Sequence, residues 1–440
     1  MFKIAILILV ILAGLGCSMS RSSLPNIILI SIDTLRADHL GCYGYDRNTS
    51  PTLDSLAEAG TMYTRCQAQA PHTTPAHSTI WTGLSVISHG AGYHNGSDFG
   101  LDPDLPTIAT MLKDNGYITL GMVNVVILNN DFGFASGFDY YTWHPNGEGR
   151  AGETVDEYLK WLDDNQGNPN PVFAMIHLYD VHIPFDPPSP YDRAFTENGS
   201  EGITNWEADP ETGALLTPEV TPHLIDLYDG EILWTDSQLS RLFSELRNRG
   251  LAENTLIIVV ADHGEEFLEH NGWGHSHALW QEMLHVPLII SGPGIPAGYI
   301  DDLPTGQFDI LPTIMDYLDV PVLTPVDGVS LIDSTARTSD RIIPSSRVSP
   351  DKCFRWGLEQ HEGLVSILAG GTKGIINYGN EDPGVMFILE DDPGERDSIA
   401  LNSLISEALD MYWTTPRVGN PQPLDAESVN SILNDLGYIR

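Results

Sequence analysis

The chain is poor in positive charge. Of its 440 residues, 21 are Lys or Arg against 60 Asp or Glu, a formal net charge of −39 at pH 7. Nucleic acid is held by clustered cations that displace counterions, so this scarcity excludes a nucleic-acid binder. Cysteine is sparse as well, at four residues, and a chain of this length buries enough core to fold without a disulfide framework. Long apolar runs are missing: the one from Ile4 to Gly16 is too short to span a bilayer as a mature helix. What is present is an ordinary globular composition, 42% hydrophobic and 9% aromatic. That excludes a disordered acidic chain and puts the negative charge on a folded surface. Such a surface suits salty surroundings, where screening shortens self-repulsion to about 8 Å or less; ordinary acidic drift accounts for it equally well.

Lys3 precedes the apolar run, which ends in small residues before Cys17, the pattern of a cleaved export signal. Leu12-Ala13-Gly14-Leu15-Gly16-Cys17 resembles a bacterial lipoprotein lipobox, with Gly14 where Leu is usual. The expectation is an extracytoplasmic protein, lipid-anchored at Cys17 on a bacterial membrane in the periplasm or at the cell surface. A plain secretory peptide or an uncleaved anchor is the alternative. Cys42, Cys66 and Cys353 then remain, enough for at most one intrachain disulfide.

Beyond the Ser-rich stub, strand-like and helix-like segments alternate. Asn26–Ile32 is a continuous apolar run, as in a strand covered on both faces, and similar runs recur at 172–176, 255–261 and 286–290. Amphipathic stretches at 52–59, 105–115 and 224–249 lie between them, the last closing at Gly250 as a helix C-cap. Alternation of this kind predicts an α/β fold with a central, mostly parallel sheet sandwiched by helices. The Pro- and Gly-rich stretches 184–191 and 321–328 read as loops, the second near a boundary to a smaller C-terminal α+β unit. The expected division is 1–17 export signal, 18–24 linker, 25–335 catalytic domain and 336–440 C-terminal subdomain.

Open α/β sheets bind ligands beyond the carboxyl ends of their strands. The first strand leads to Asp33, the 255–261 strand to Asp262 and His263, and the 172–176 strand to His177, Asp180 and His182. One Asp after a strand is more often a turn or cap residue than a ligand. Three strand ends bearing Asp or His together form the mixed oxygen and imidazole set that a divalent cation requires. Pro71-His72-Thr73-Thr74-Pro75-Ala76-His77 reads as a helix start, with Thr74 as N-cap and Pro75 first in the helix. Thr73 then lies where free N–H groups favour an anion. Beside a divalent cation, its hydroxyl becomes a competent nucleophile.

The run Pro25 to Asp38, Leu40 to Gly44, Thr73-Thr-Pro-Ala-His77, Gly137-Phe-Asp139, His182-Ile-Pro184, Ala261-Asp-His-Gly-Glu265, Gly274-His275 and Val286-Pro287 resembles, in order, the sulfatase family of the alkaline-phosphatase superfamily. Leu389 to Glu395 resembles a motif near that family's C-terminus. The resemblance implies the fold given above and one divalent metal ion, with calcium, magnesium, manganese and zinc all open. It implies Asp33, Asp262 and His263 as metal ligands and Thr73 as ligand and nucleophile. His77 would replace the family's active-site Arg, while His182 and His275 would contact the anionic group or protonate the leaving oxygen, with His277 adjacent. Asn124, Asn129 and Asn130 fall in a pocket-shaping region. Trp273 and Trp280 are either pocket walls or packing. Glu265, Glu266 and Glu269 are expected to face solvent.

Two departures from that family matter. Its members carry Cys or Ser at the Thr73 position and convert it to formylglycine; Thr cannot be so converted, and Gln67 to Ala70 after Cys66 offers no substitute motif. The acid that usually follows the first metal-binding Asp is Thr34 here. A covalent ester on formylglycine is expelled by collapse to the aldehyde, whereas an ester on Thr must be displaced by water at sulfur or phosphorus. That chemistry favours phosphate esters or phosphonates, the family favours sulfate esters, and the two stand even. The substrate is thus an anionic ester, such as one on a sulfated or phosphorylated glycan. Transfer to a lipid or glycan acceptor and non-catalytic glycan binding are the alternatives. Because the surface repels anions, protonated His77, His182, His275 and His277 are expected to supply local positive charge, fading above about pH 6.5.

Overall fold

The computed structural model describes residues 24–94, 97–144, 150–196, 218, 220–322, 324–333, 335, 337–347, 364–377, 384–413 and 418–419. The export segment, Cys17 and Cys353 lie outside them. In chain order the principal elements begin with β1 (Asn26–Ile32), α1 (Pro51–Ala59), β2 (Thr61–Tyr63), α2 (Thr73–Thr82), α3 (Ile108–Asp114), β3 (Ile118–Val123) and β4 (Tyr140–Trp143). Next come α4 (Ala151–Asp164), β5 (Val172–Leu178), α5 (Thr221–Asn248), β6 (Thr255–Ala261), β7 (Leu288–Ser291), β8 (Tyr299–Asp301) and α6 (Ile310–Tyr317). The last are β9 (Ile342–Arg347), β10 (Leu364–Ala369), β11 (Thr372–Asn377), β12 (Val385–Ile388) and α7 (Ser403–Trp413). Among these residues no helix is long and apolar enough to cross a membrane.

An eight-stranded sheet runs in the order β8-β2-β7-β6-β1-β5-β3-β4. The five strands from β6 to β4 are parallel. Alternate residues of β1 serve the two faces. Leu29 packs with Trp81 of α2 and Ile108 of α3, whereas Ile32 packs with Leu53 of α1 and Ile232 of α5. Helices therefore cover both faces, which is why β1, β5 and β6 read as unbroken apolar runs. Each such Ile or Leu contributes about 1.5–3 kcal/mol on full burial. The expected parallel arrangement fails at β7, which is antiparallel to β6 and β2. Residues 262–287 contain only short elements, the longest helix being Gln281–Leu284, and a parallel return needs a longer crossover.

Two helix starts also differ from expectation. α2 begins at Thr73, with His72 as N-cap. Pro75 is tolerated in the first turn because N–H groups there have no intrahelical partner. α5 begins at Thr221, with a proline in its first turn. A four-stranded antiparallel sheet, β9-β10-β11-β12, follows, and α7 lays Ile405, Leu409 and Tyr412 over Val365 and Ile367. Gly374 permits this closeness: a Cβ there would lie 2.1 Å from Ile405 Cγ2. The small sheet is tied to the body by Ser346 N donating to Gln69 O (2.8 Å) and Arg347 Nε donating to Ser276 O (2.6 Å).

Candidate active site

Register brings the site together. In the sheet, Ile32 of β1 lies beside Leu178 of β5 on one side and Ala261 of β6 on the other. The next residues, Asp33 and the Asp262-His263 pair, therefore leave the sheet at one level. Asp33 N donates to Leu178 O (2.9 Å), and Asp262 Oδ1 accepts from Thr34 N (3.2 Å) and His263 N (2.8 Å). Gln307, which carried no motif, donates through Nε2 to Ala261 O (2.7 Å) and Asp262 O (2.6 Å), holding this strand end in place.

Ligand-type atoms of Asp33, Asp262 and His263 all lie within 4.8 Å of one another, and all three residues are buried. His263 Nδ1 is 3.0 Å from Gly264 O and so carries the proton, leaving Nε2 to face Asp33 Oδ1 (3.7 Å) and Asp262 Oδ2 (3.5 Å). Thr73 Oγ1 is 3.4 Å from the same nitrogen. Four residues expected to share a centre are thus brought together. Thr34 turns away, its hydroxyl donating to Val181 O (2.9 Å).

Both oxygens of Asp33 and Oδ2 of Asp262 are buried without a hydrogen-bond partner. Burial raises the pKa of both carboxyls. Burial would lower that of His263, but the Asp262 and Asp33 carboxylates outweigh it and raise it. Leaving buried carboxylates unpaired costs several kcal/mol each. Two such oxygen donors facing an imidazole lone pair and a hydroxyl are a donor set that fits a divalent cation.

The histidines depart from expectation. His77 is fully buried, with Nδ1 2.9 Å from Thr73 O and Nε2 3.0 Å from Ser31 Oγ. Burial drives its pKa down to about 3, and does the same for His182. Neither ring is a cation at neutral pH, so the expected positive pocket does not come from them; desolvation outweighs the nearby carboxylates. His182 stacks on Tyr179 (4.4 Å between ring centroids), His275 follows at 4.9 Å, and His263 lies 4.5 Å beyond. His275 Nδ1 is 3.1 Å from Glu265 Oε1, and His277 Nε2 is 2.7 Å from Glu266 Oε2.

Glu265 and Glu266 are buried rather than solvent-facing, because each finds a histidine partner and Glu269 pairs with Arg36 (2.6 Å). Asp180 accepts from Ala151 N (2.6 Å) and Trp234 Nε1 (2.7 Å), joining α4 to α5 away from the centre. Trp273 packs on Phe267 and Trp280 stacks on His270 (4.2 Å). Among the described cysteines, Cys42 and Cys66 are free thiols.

A mostly parallel sheet between helices, with acids and histidines gathered at its strand ends, is the architecture of the alkaline-phosphatase-like fold. Residues 25–320 match the sulfatase family model, and the chain belongs to that family. It is 26% identical to an arylsulfatase of Clostridium perfringens over 378 residues, covering 70% of this chain and 78% of that protein. In fold it is similar to a phosphonate monoester hydrolase of Agrobacterium radiobacter (TM-score 0.70, 23% identity, 94% and 96% of the two chains). It is also similar to a structure solved with its substrate D-glucosamine-2-N,6-O-disulfate (TM-score 0.70, 18% identity, 94% and 99%). The chain is an ester hydrolase of the sulfatase superfamily.

Proposed function

We propose that the chain is a metal-dependent hydrolase of sulfate, phosphate or phosphonate esters that uses Thr73 as a covalent nucleophile and forms no formylglycine. The observation that carries this reading is the position of Thr73 Oγ1, 3.4 Å from His263 Nε2, beside the unpartnered oxygens of Asp33 and the unpartnered Oδ2 of Asp262. Asp33, Asp262, His263 and Thr73 would hold one divalent ion, which would lower the pKa of the hydroxyl and offset charge on the ester oxygens. Thr73, held in the first turn of α2 and with its hydroxyl proton already lost to solvent, attacks sulfur or phosphorus as the alkoxide, and the bond to the ester oxygen breaks with its electron pair leaving on that oxygen; the second displacement returns Thr73 as the same alkoxide. His275, mostly buried beside Glu265, protonates the leaving oxygen. Burial pushes Glu265 up to about 8, so this pair holds a proton at neutral pH. Water then attacks the covalent ester, gives its proton back to the pair, and displaces Thr73 Oγ. His182 orders the ring row, and His77 positions Thr73.

The two similar folds were solved for a phosphonate monoester hydrolase and for a protein holding a sulfated glucosamine. They support an anionic ester substrate, a sulfated or phosphorylated glycan among the candidates. We place the catalytic domain at 25–335, the small-sheet subdomain at 336–440, and the protein outside the cytoplasm on a lipid at Cys17. The test is a panel of nitrophenyl sulfate, phosphate, phosphodiester and phosphonate, with metal-depleted and reconstituted protein and with Thr73→Ala and Thr73→Ser. Turnover is expected to need metal, to vanish in Thr73→Ala and to persist in Thr73→Ser. Turnover retained in Thr73→Ala removes the covalent mechanism.

A further inference from the structure

We infer that Arg347 is a positioning residue for the reaction: from the small subdomain it fixes, through Ser276, the place of His275 opposite Thr73. The inference rests on the reading of His275 as the proton donor to the leaving oxygen. His275 sits on a bend between two residues of left-handed backbone, Gly274 (φ 82°) and Ser276 (φ 72°). Glycine takes that conformation freely. Serine does not, and it stays there only where its surroundings over-determine it. Both main-chain polar groups of Ser276 are engaged. Its N–H donates to Pro71 O (2.9 Å), two residues before Thr73, and its carbonyl accepts from Arg347 Nε (2.6 Å). At the other end of the bend, Gly274 lies opposite Glu266 in a short antiparallel ladder. With both ends held, His275 keeps Nδ1 3.1 Å from Glu265 Oε1 and its ring centroid 4.5 Å from that of His263.

Arg347 ends β9, and the residues before it grip the nucleophile's side of the site. Ser345 Oγ donates to Ala68 O (2.6 Å) and Ser346 N to Gln69 O (2.8 Å). Consecutive residues of one strand therefore hold both the segment that leads into Thr73 and the loop that carries His275. Arg347 is only 1% exposed, so it acts through the Ser276 carbonyl and not by touching a substrate. A hydrogen bond from a guanidinium is charge-assisted and among the stronger kinds. His275 lies outside the main sheet, in a segment of short elements, and β9 supplies the anchor that the sheet does not. The spacing of nucleophile and proton donor is a sensitive quantity, since a 1 Å misplacement of a reacting group costs about 100-fold in rate.

The test measures kcat of the full chain on two esters of the acid that the nitrophenyl panel selects. The leaving oxygen of the nitrophenyl ester is stable without a proton, whereas that of the phenyl ester is helped by one. Arg347→Met puts a methyl group where Nε stood, and Arg347→Gln puts an amide N–H donor there. Arg347→Met is expected to lose about 10–100-fold on the phenyl ester and much less on the nitrophenyl ester, with Arg347→Gln recovering most of that loss. His275→Ala should show the same selectivity, and adding Arg347→Met to it should cost the phenyl ester nothing more. Equal losses on both esters in Arg347→Met, no recovery in Arg347→Gln, or additive losses in the double variant overturns the inference and leaves the proton-donor reading standing. Equal losses on both esters in His275→Ala overturns that reading and the inference with it, as does a chain that turns over no ester of the panel. If Arg347→Met does not fold, Arg347→Lys takes its place, since it keeps the charge but has carbon where Nε stood. The same selective loss is expected of it, and a wild-type ratio of the two rates overturns the inference.

Discussion

His77 donates its Nδ1–H to the carbonyl of Thr73, one turn earlier in α2, while its Nε2 accepts from Ser31 on β1. One neutral ring thus fixes the first turn of the helix to the central strand. The ring's pKa of about 3 keeps it uncharged at every working pH. His77→Ala is therefore expected to lower kcat by about 10–100-fold, as loss of positioning does, with little change in KM. The shape of the pH–rate profile should stay the same. A shifted acidic limb in the variant would show that His77 carries a catalytic proton.

The strands that place this site were legible because both their faces are buried: β1 and β6 have the bounds that their unbroken apolar runs imply. Asp33, Asp262 and His263 were legible for the same reason, standing directly after those runs. β2 and β8 were not, being three residues each, with Tyr299 and Ile300 exposed at the sheet edge. Gln307 acts on a strand end 45 residues away and has no local signature. The burial of Glu265 and Glu266 depends on how a loop folds back to bring His275 and His277 to them. His177 stood out at a strand end, yet its ring is held through Nδ1 by Asn124, 53 residues earlier.

Asp236 of α5 accepts from the backbone N–H groups of Thr52 and Leu53 at the start of α1. Burial outweighs these bonds and pushes its carboxyl up to about 6. A carboxyl raised on folding binds its proton more tightly in the folded chain. Its contribution is favourable at low pH and is lost as pH rises from about 4 through about 6. The loss amounts to at most ~3 kcal/mol. In urea unfolding across that window, Asp236→Asn is expected to remove this fall, so that the variant gains on wild type as pH rises. Parallel stability–pH curves for the two proteins would contradict the assignment.

Asp33 offers two buried, unpartnered oxygens to the centre. Without metal they are a liability, and replacing the charge with an amide relieves it. Metal-free Asp33→Asn is expected to melt above metal-free wild type. Added Zn²⁺ should stabilise wild type by about 2.7 kcal/mol at a hundredfold excess over Kd and leave the variant unchanged. Calorimetry of both proteins with and without the ion checks this. A wild-type melting temperature indifferent to divalent ions would be the contrary result.

Lys373 on β11 and Glu395 form a buried ion pair at 2.8 Å, and the other oxygen of Glu395 accepts from Gln281 N at 2.7 Å. The Glu395 carbonyl also lies 3.2 Å from His270 Nε2. This pair ties the small sheet to the 265–282 segment that carries His275. Burial lowers the Lys373 pKa, with Glu395 opposing the shift, so the lysine depends on its partner for its charge. Removing either partner alone strands a charge in the interior, at about 3–5 kcal/mol. Lys373→Met and Glu395→Gln are therefore each expected to be strongly destabilising, while the double variant recovers most of the loss. Glu395→Gln keeps an acceptor for Gln281 N, whereas Glu395→Ala does not. If the pair also sets the height of the His275 loop, Glu395→Ala should raise KM more than Glu395→Gln at matched stability. A double-mutant cycle in denaturant gives the coupling energy, and additive losses would mean that the two side chains act independently.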